Sequence, residues 1–70
     1  MNRDQLLRAL RRYARKNGFV FEVDKVKGAG SHYRIRFQSY VTTLPDKLTP
    51  LKITLILKQI GLHPDDLKNL

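Results

Sequence analysis

One histidine, His32, follows a glycine-rich run and opens an alternating, arginine-bearing segment: Lys27-Gly28-Ala29-Gly30-Ser31-His32-Tyr33-Arg34-Ile35-Arg36-Phe37. Histidine is the side chain that takes up and gives back a proton near neutral pH. In an extended segment, residues 32, 34 and 36 project from one face. The two guanidiniums would therefore flank the imidazole and could grip phosphate oxygens. Gly28 and Gly30 would let backbone amides come close to a phosphate. This combination suits phosphodiester chemistry in which a ribose 2′-hydroxyl attacks the adjacent phosphate. Such a reaction needs a base, an acid and positive charge. On residue types alone the plainer reading stands ahead, a solvent-exposed histidine after an ordinary hairpin loop. The glycines equally suit a turn that needs positive φ, and the run matches neither a P-loop nor a dinucleotide fingerprint.

The elements that must position these residues follow from hydrophobic spacing. Residues 3–16 predict an amphipathic helix with Asn2 and Gln5 in capping-box relation. Leu6, Leu10 and Tyr13 form its apolar stripe with Leu7 and Ala14 beside it, and Gly18 is placed to end it. Residues 19–26, 32–38 and 40–44 predict three strands. In the second of these Tyr33, Ile35 and Phe37 share one face, and His32, Arg34 and Arg36 the other. Thr49-Pro50 predicts a second helix start, running to Ile60 and stopping at Gly61. Pro64-Asp65-Asp66 predicts a short terminal helix, with Leu62, Leu67 and Leu70 folding back over Leu51 and Leu55. His63 reads as a capping or surface residue, and Tyr40 as the aromatic able to stack on a base. The expected fold class is α+β in the order α-β-β-β-α. Three antiparallel strands would carry both helices on one face.

Length and charge narrow the possibilities. The chain has 70 residues, enough for one domain spanning residues 1–70. A domain of this size buries only about 60% of its unfolded surface, so any site is expected to be a shallow patch. There is no cysteine, which excludes disulfides and thiolate zinc sites. No cluster has metal-ligand spacing, and neither a signal peptide nor a spanning segment is expected. Net charge is +8, from 14 basic and 6 acidic residues. That balance suits a polyanion or an acidic protein. Arg8, Arg11, Arg12 and Arg15 form a basic stripe on the first helix with almost no interleaved acid. Nucleic acid and an acidic protein suit that stripe equally.

Three elements together, Gly18-Phe19 after a helix, Lys27-Gly28-Ala29-Gly30-Ser31-His32, and Leu57-Lys58-Gln59-Ile60-Gly61-Leu62, resemble the HicA family of toxins. These are small mRNA interferases of type II toxin–antitoxin systems. The resemblance runs from about Leu6 to Leu67, and its most specific part is the Gly-Ser-His element. It implies a fold like the double-stranded-RNA-binding domain and metal-independent, ribosome-independent RNA cleavage with one essential histidine, which maps onto His32. It implies no cofactor, an mRNA substrate, a HicB-type antitoxin partner, and a cytoplasmic protein that binds neither membrane nor, alone, DNA. Lys27, Gly28, Gly30, Ser31, Arg34 and Arg36 would then contact RNA phosphates. Two family features are missing. Leu44-Pro45-Asp46-Lys47 has no histidine, and the last main helix does not open on Gly-Thr-Leu. A non-catalytic RNA-binding module and an interaction domain for an acidic protein are the alternative functions.

Overall fold

The structure, a computed structural model, describes residues 1–25 and 32–68. Its elements follow in the order α1 (Arg3–Asn17), β1 (Phe21–Asp24), β2 (Tyr33–Phe37), β3 (Tyr40–Leu44), α2 (Pro50–Gln59) and a 3-10 turn (Pro64–Leu67). The three strands form one antiparallel sheet in the order β1-β2-β3. The α+β arrangement expected from the sequence is therefore the arrangement found.

Local chemistry sets the bounds of α1. The Asn2 side chain accepts from the Gln5 amide at 2.8 Å, and the Gln5 side chain accepts from the Asn2 amide at 2.9 Å. Asp4 lies in the first turn and Arg15 and Lys16 in the last, each complementing the helix dipole. Gly18 ends the helix at φ 70 in the left-handed region. A Cβ added there would meet nothing within 4 Å. Gly18→Ala is thus expected to cost about 1 kcal/mol, from backbone conformation alone. A urea denaturation midpoint compared with wild type checks this.

The left-handed exit also explains why β1 is shorter than the expected 19–26. The Phe19 amide turns back to donate to the Ala14 carbonyl at 2.8 Å, so it serves the helix end and not the sheet. Val20 stays outside the strand although its carbonyl accepts from the Gln38 amide at 2.8 Å. The Val26 end of that expectation lies outside the described residues. β2 stops at Phe37 because Gln38 adopts φ 56, the positive value a two-residue hairpin turn demands.

One face of the sheet carries the core. Leu6, Leu10 and Ala14 from α1 meet Ile35, Phe37 and Leu44 from the sheet, Ile56 and Leu57 from α2, and Ile60 at the C-cap of α2. Both helices thus cover the same face, and the other face stays open. Phe37 is the largest fully buried side chain and touches three more rings. Phe19 lies edge-on at 5.9 Å between centroids, with Tyr13 and Phe21 each at 6.2 Å.

The chain after α2 departs from expectation. Gly61 adopts φ 77, and the Leu62 amide donates back to the Leu57 carbonyl at 2.8 Å. This reversal tucks Leu62 into the core, as a residue two past a helix end commonly does. Leu67 also packs against the core. Neither covers Leu51 or Leu55, which remain 68% and 50% exposed. Leu70 lies outside the described residues. The expected short terminal helix is a 3-10 turn, capped by His63, whose Nδ1 accepts from the Asp65 amide at 3.1 Å. A hydrogen bond from Lys68 and the charge of that lysine hold the Asp65 carboxyl below its ordinary value, with a smaller contribution from His63.

Candidate functional site

β2 alternates strictly. Tyr33 is half-buried, Ile35 and Phe37 are buried, and Arg34 and Arg36 are exposed. His32 is exposed and immediately precedes the strand. It lies outside the ladder, and the groove that Arg34 and Arg36 line does not include it. The open sheet face therefore holds Arg34 and Arg36 as expected. Lys27, Gly28, Gly30 and Ser31 lie outside the described residues.

The strand register adds what residue spacing within one segment could not. Asp24 pairs with Arg34, and Glu22 with Arg36. All four side chains line one shallow groove with Val41. Directly opposed residues in an antiparallel pair hold their Cβ atoms about 4.5–5.5 Å apart. Each arginine thus has a carboxylate as its cross-strand neighbour, and the charge of the two pairs cancels. Neither pair is among the ion pairs that the described residues form within 4 Å, so the carboxylates act on an approaching ligand through their charge more than on the fold. A polyanion approaching Arg34 and Arg36 must work against Glu22 and Asp24. Glu22→Gln is therefore expected to raise affinity for RNA a few-fold. Arg36→Ala should lower it and reduce the slope of log affinity against log salt by about 1. Fluorescence anisotropy on a labelled RNA oligonucleotide across a salt series checks both.

Two further cations stand at the His32 end of the sheet. The Arg3 guanidinium lies 3.7 Å from the Tyr33 ring centroid, and the Lys25 ammonium 5.7 Å from it. Arg3 also pairs with Asp46 at 3.3 Å. Cations over a tyrosine ring gain about 0.5–1 kcal/mol at exposed sites and about 2 kcal/mol when desolvated, and the Arg3 side chain is only 14% exposed. Here they brace Tyr33, the neighbour of His32, from the helix side of the sheet. Sequence reasoning missed both. Lys25 follows from antiparallel pairing, because the end of β1 must lie beside the start of β2. Arg3 carries no local signal, since only tertiary packing brings the first turn of α1 over Tyr33.

The remaining candidates are dispersed. Arg8, Arg11, Arg12 and Arg15 are exposed along α1, with the Arg11 guanidinium 5.9 Å from the Phe21 ring centroid. That stripe belongs to the helix layer, whereas Arg34 and Arg36 belong to the open sheet face. Tyr40 is half-exposed but leans on Gly61, where an added Cβ would lie 3.3 Å from its ring. His63 is engaged as a cap. Among the described residues no group of three histidine, aspartate or glutamate side chains could hold a metal ion, and no helix is long and apolar enough to cross a membrane.

No family model matches this chain, and neither a curated protein nor a solved structure matches it. The geometry and the sequence resemblance therefore carry the functional reading.

Proposed function

We propose that this chain is a toxin endoribonuclease of the HicA type, cleaving mRNA with His32 as its proton-transfer group. The observation that carries the reading is an exposed histidine immediately before a strand whose exposed residues are Arg34 and Arg36. The 2′-oxygen of one nucleotide forms a bond to the adjacent phosphorus, and the bond from phosphorus to the 5′-oxygen breaks. One proton leaves the 2′-hydroxyl and one must reach the departing 5′-oxygen. His32 serves one of these transfers and solvent the other, since the remaining histidine is occupied in capping the 3-10 turn. Arg34, Arg36 and Lys27 stabilise the extra negative charge on phosphate, with Gly28, Gly30 and Ser31 admitting the strand. A HicB-type antitoxin covers the site in the resting pair, and the protein acts in the cytoplasm without a cofactor.

The chemistry dictates the ends of the products. Purified protein incubated with mRNA in the presence of a chelator should yield 5′-hydroxyl and 2′,3′-cyclic phosphate ends. Intact RNA under those conditions, combined with saturable duplex binding, would instead identify a non-catalytic RNA-binding module.

A further inference from the structure

The two edges of the sheet, β1 and β3, are built differently. The Gln38 amide bonds to the Val20 carbonyl, and antiparallel ladders alternate bonded and non-bonded pairs. Arg34 and Arg36 therefore direct their backbone groups to β1, and Tyr33, Ile35 and Phe37 direct theirs to β3. Their partners Leu44, Thr42 and Tyr40 are satisfied inward. The N–H and C=O groups of Val41 and Thr43 consequently point outward from the free edge of β3.

Natural sheets blunt such edges with charge, proline, bulges or shortness. β1 follows this rule, with four residues that include Glu22 and Asp24. β3 does not follow it. Its sequence, Tyr-Val-Thr-Thr-Leu, is uncharged, with β-branched residues at its centre. Beyond the edge runs a groove lined by Val41, Thr43, Pro45, Lys52, Leu55 and Gln59. Val41, Leu55 and the nearby Leu51 are 53%, 50% and 68% exposed. A hydrogen bond from the Thr42 hydroxyl to Gln59 holds α2 against β3, so the groove is shaped before anything enters it.

Charge selects the occupant. β3 and α2 contain no acidic residue, while α2 carries Lys52 and Lys58. A second copy of this chain would bring another net charge of +8 to the same place. We propose that β3 accepts an extended, acidic segment of a partner protein as a fourth strand. Its main chain would bond to Val41 and Thr43, its apolar side chains would rest on Leu55 and Pro45, and its carboxylates would face Lys52. Strand addition of this kind draws affinity from main-chain bonds and specificity from alternate side chains. The surface is independent of the reaction assigned to His32.

A fluorescein-labelled, acetylated octapeptide alternating valine and glutamate is the probe. Anisotropy should show saturable binding with Kd below about 1 mM, and the Val41 and Thr43 amide resonances should shift on titration. Val41→Pro removes an outward donor while sparing every bond to β2, and should weaken binding at least about tenfold, or 1.4 kcal/mol. Leu55→Glu, a surface change that leaves the fold intact, should weaken it by a similar factor and serves if the proline variant does not fold. A valine–lysine counterpart should not bind. The proposal is overturned by absence of binding at that concentration, by equal binding of either variant or of the lysine peptide, by self-association of the free chain through β3, or by RNA shifting those amides where the peptide does not.

Discussion

His32→Ala is expected to leave the domain folded and to lower RNA cleavage by about 10²- to 10⁴-fold, the usual contribution of a positioned proton-transfer group. The fold should survive because His32 is exposed and lies outside the ladder of β2. Surface substitutions of this kind usually change stability by no more than about 0.5 kcal/mol. The far-UV spectrum and the urea midpoint should therefore match wild type, while product ends disappear. In cells, induction of the wild type should arrest growth and induction of the variant should not. His63→Ala provides the contrast. It removes a cap, with His63 Nδ1 no longer accepting from the Asp65 amide, and so should loosen the 3-10 turn without lowering the cleavage rate. A folded His32→Ala protein that cleaves RNA at the wild-type rate removes His32 from the mechanism. Loss of cleavage in both variants would instead indicate that the two histidines act together, which the engagement of His63 in its cap argues against.

The parts of this molecule that were legible in its sequence are those governed by nearest neighbours along the chain. The Asn2–Gln5 box and Gly18 bound α1 because capping is satisfied within four residues. The alternation of β2 separates Arg34 and Arg36 from Ile35 and Phe37 because a strand has period two. What was not legible depends on register or reversal. Opposing Glu22 to Arg36 and Asp24 to Arg34 requires knowing which residues pair across strands. A shift of one residue would have placed the apolar side chains of β1 there instead. That pairing changes the reading of the site, since two arginines that looked free for phosphate share their face with two carboxylates. The fate of Leu62 turned on Gly61, whose left-handed backbone sends the chain under α2 and into the core. Helical spacing sets Leu51 and Leu55 away from the buried Ile56, Leu57 and Ile60. What covers the pair is not encoded in that spacing.

Phe37→Ala is expected to be the most damaging single substitution in the core, costing about 3–5 kcal/mol. Phe37 is fully buried and is the ring on which Tyr13, Phe19 and Phe21 converge, so its loss leaves a cavity walled by groups fixed in α1 and β1. At roughly 0.05–0.15 kcal/mol per residue, a chain this short has about 3.5–10 kcal/mol of total stability. The variant should therefore lose between a third and all of it, and the urea midpoint should fall in the same proportion, to no transition at the upper end of that range. Phe37→Leu retains most of the volume and should cost less than half as much. The pair also separates folding from chemistry. Phe37 lies on the strand that carries Arg34 and Arg36, so its truncation should lower RNA binding, cleavage and the folded spectrum together, in proportion to the fraction unfolded. His32→Ala should abolish cleavage alone. A Phe37→Ala protein with a wild-type midpoint would mean that the aromatic cluster contributes little, and that Leu6, Leu10, Ile35 and Leu57 hold the domain together without it.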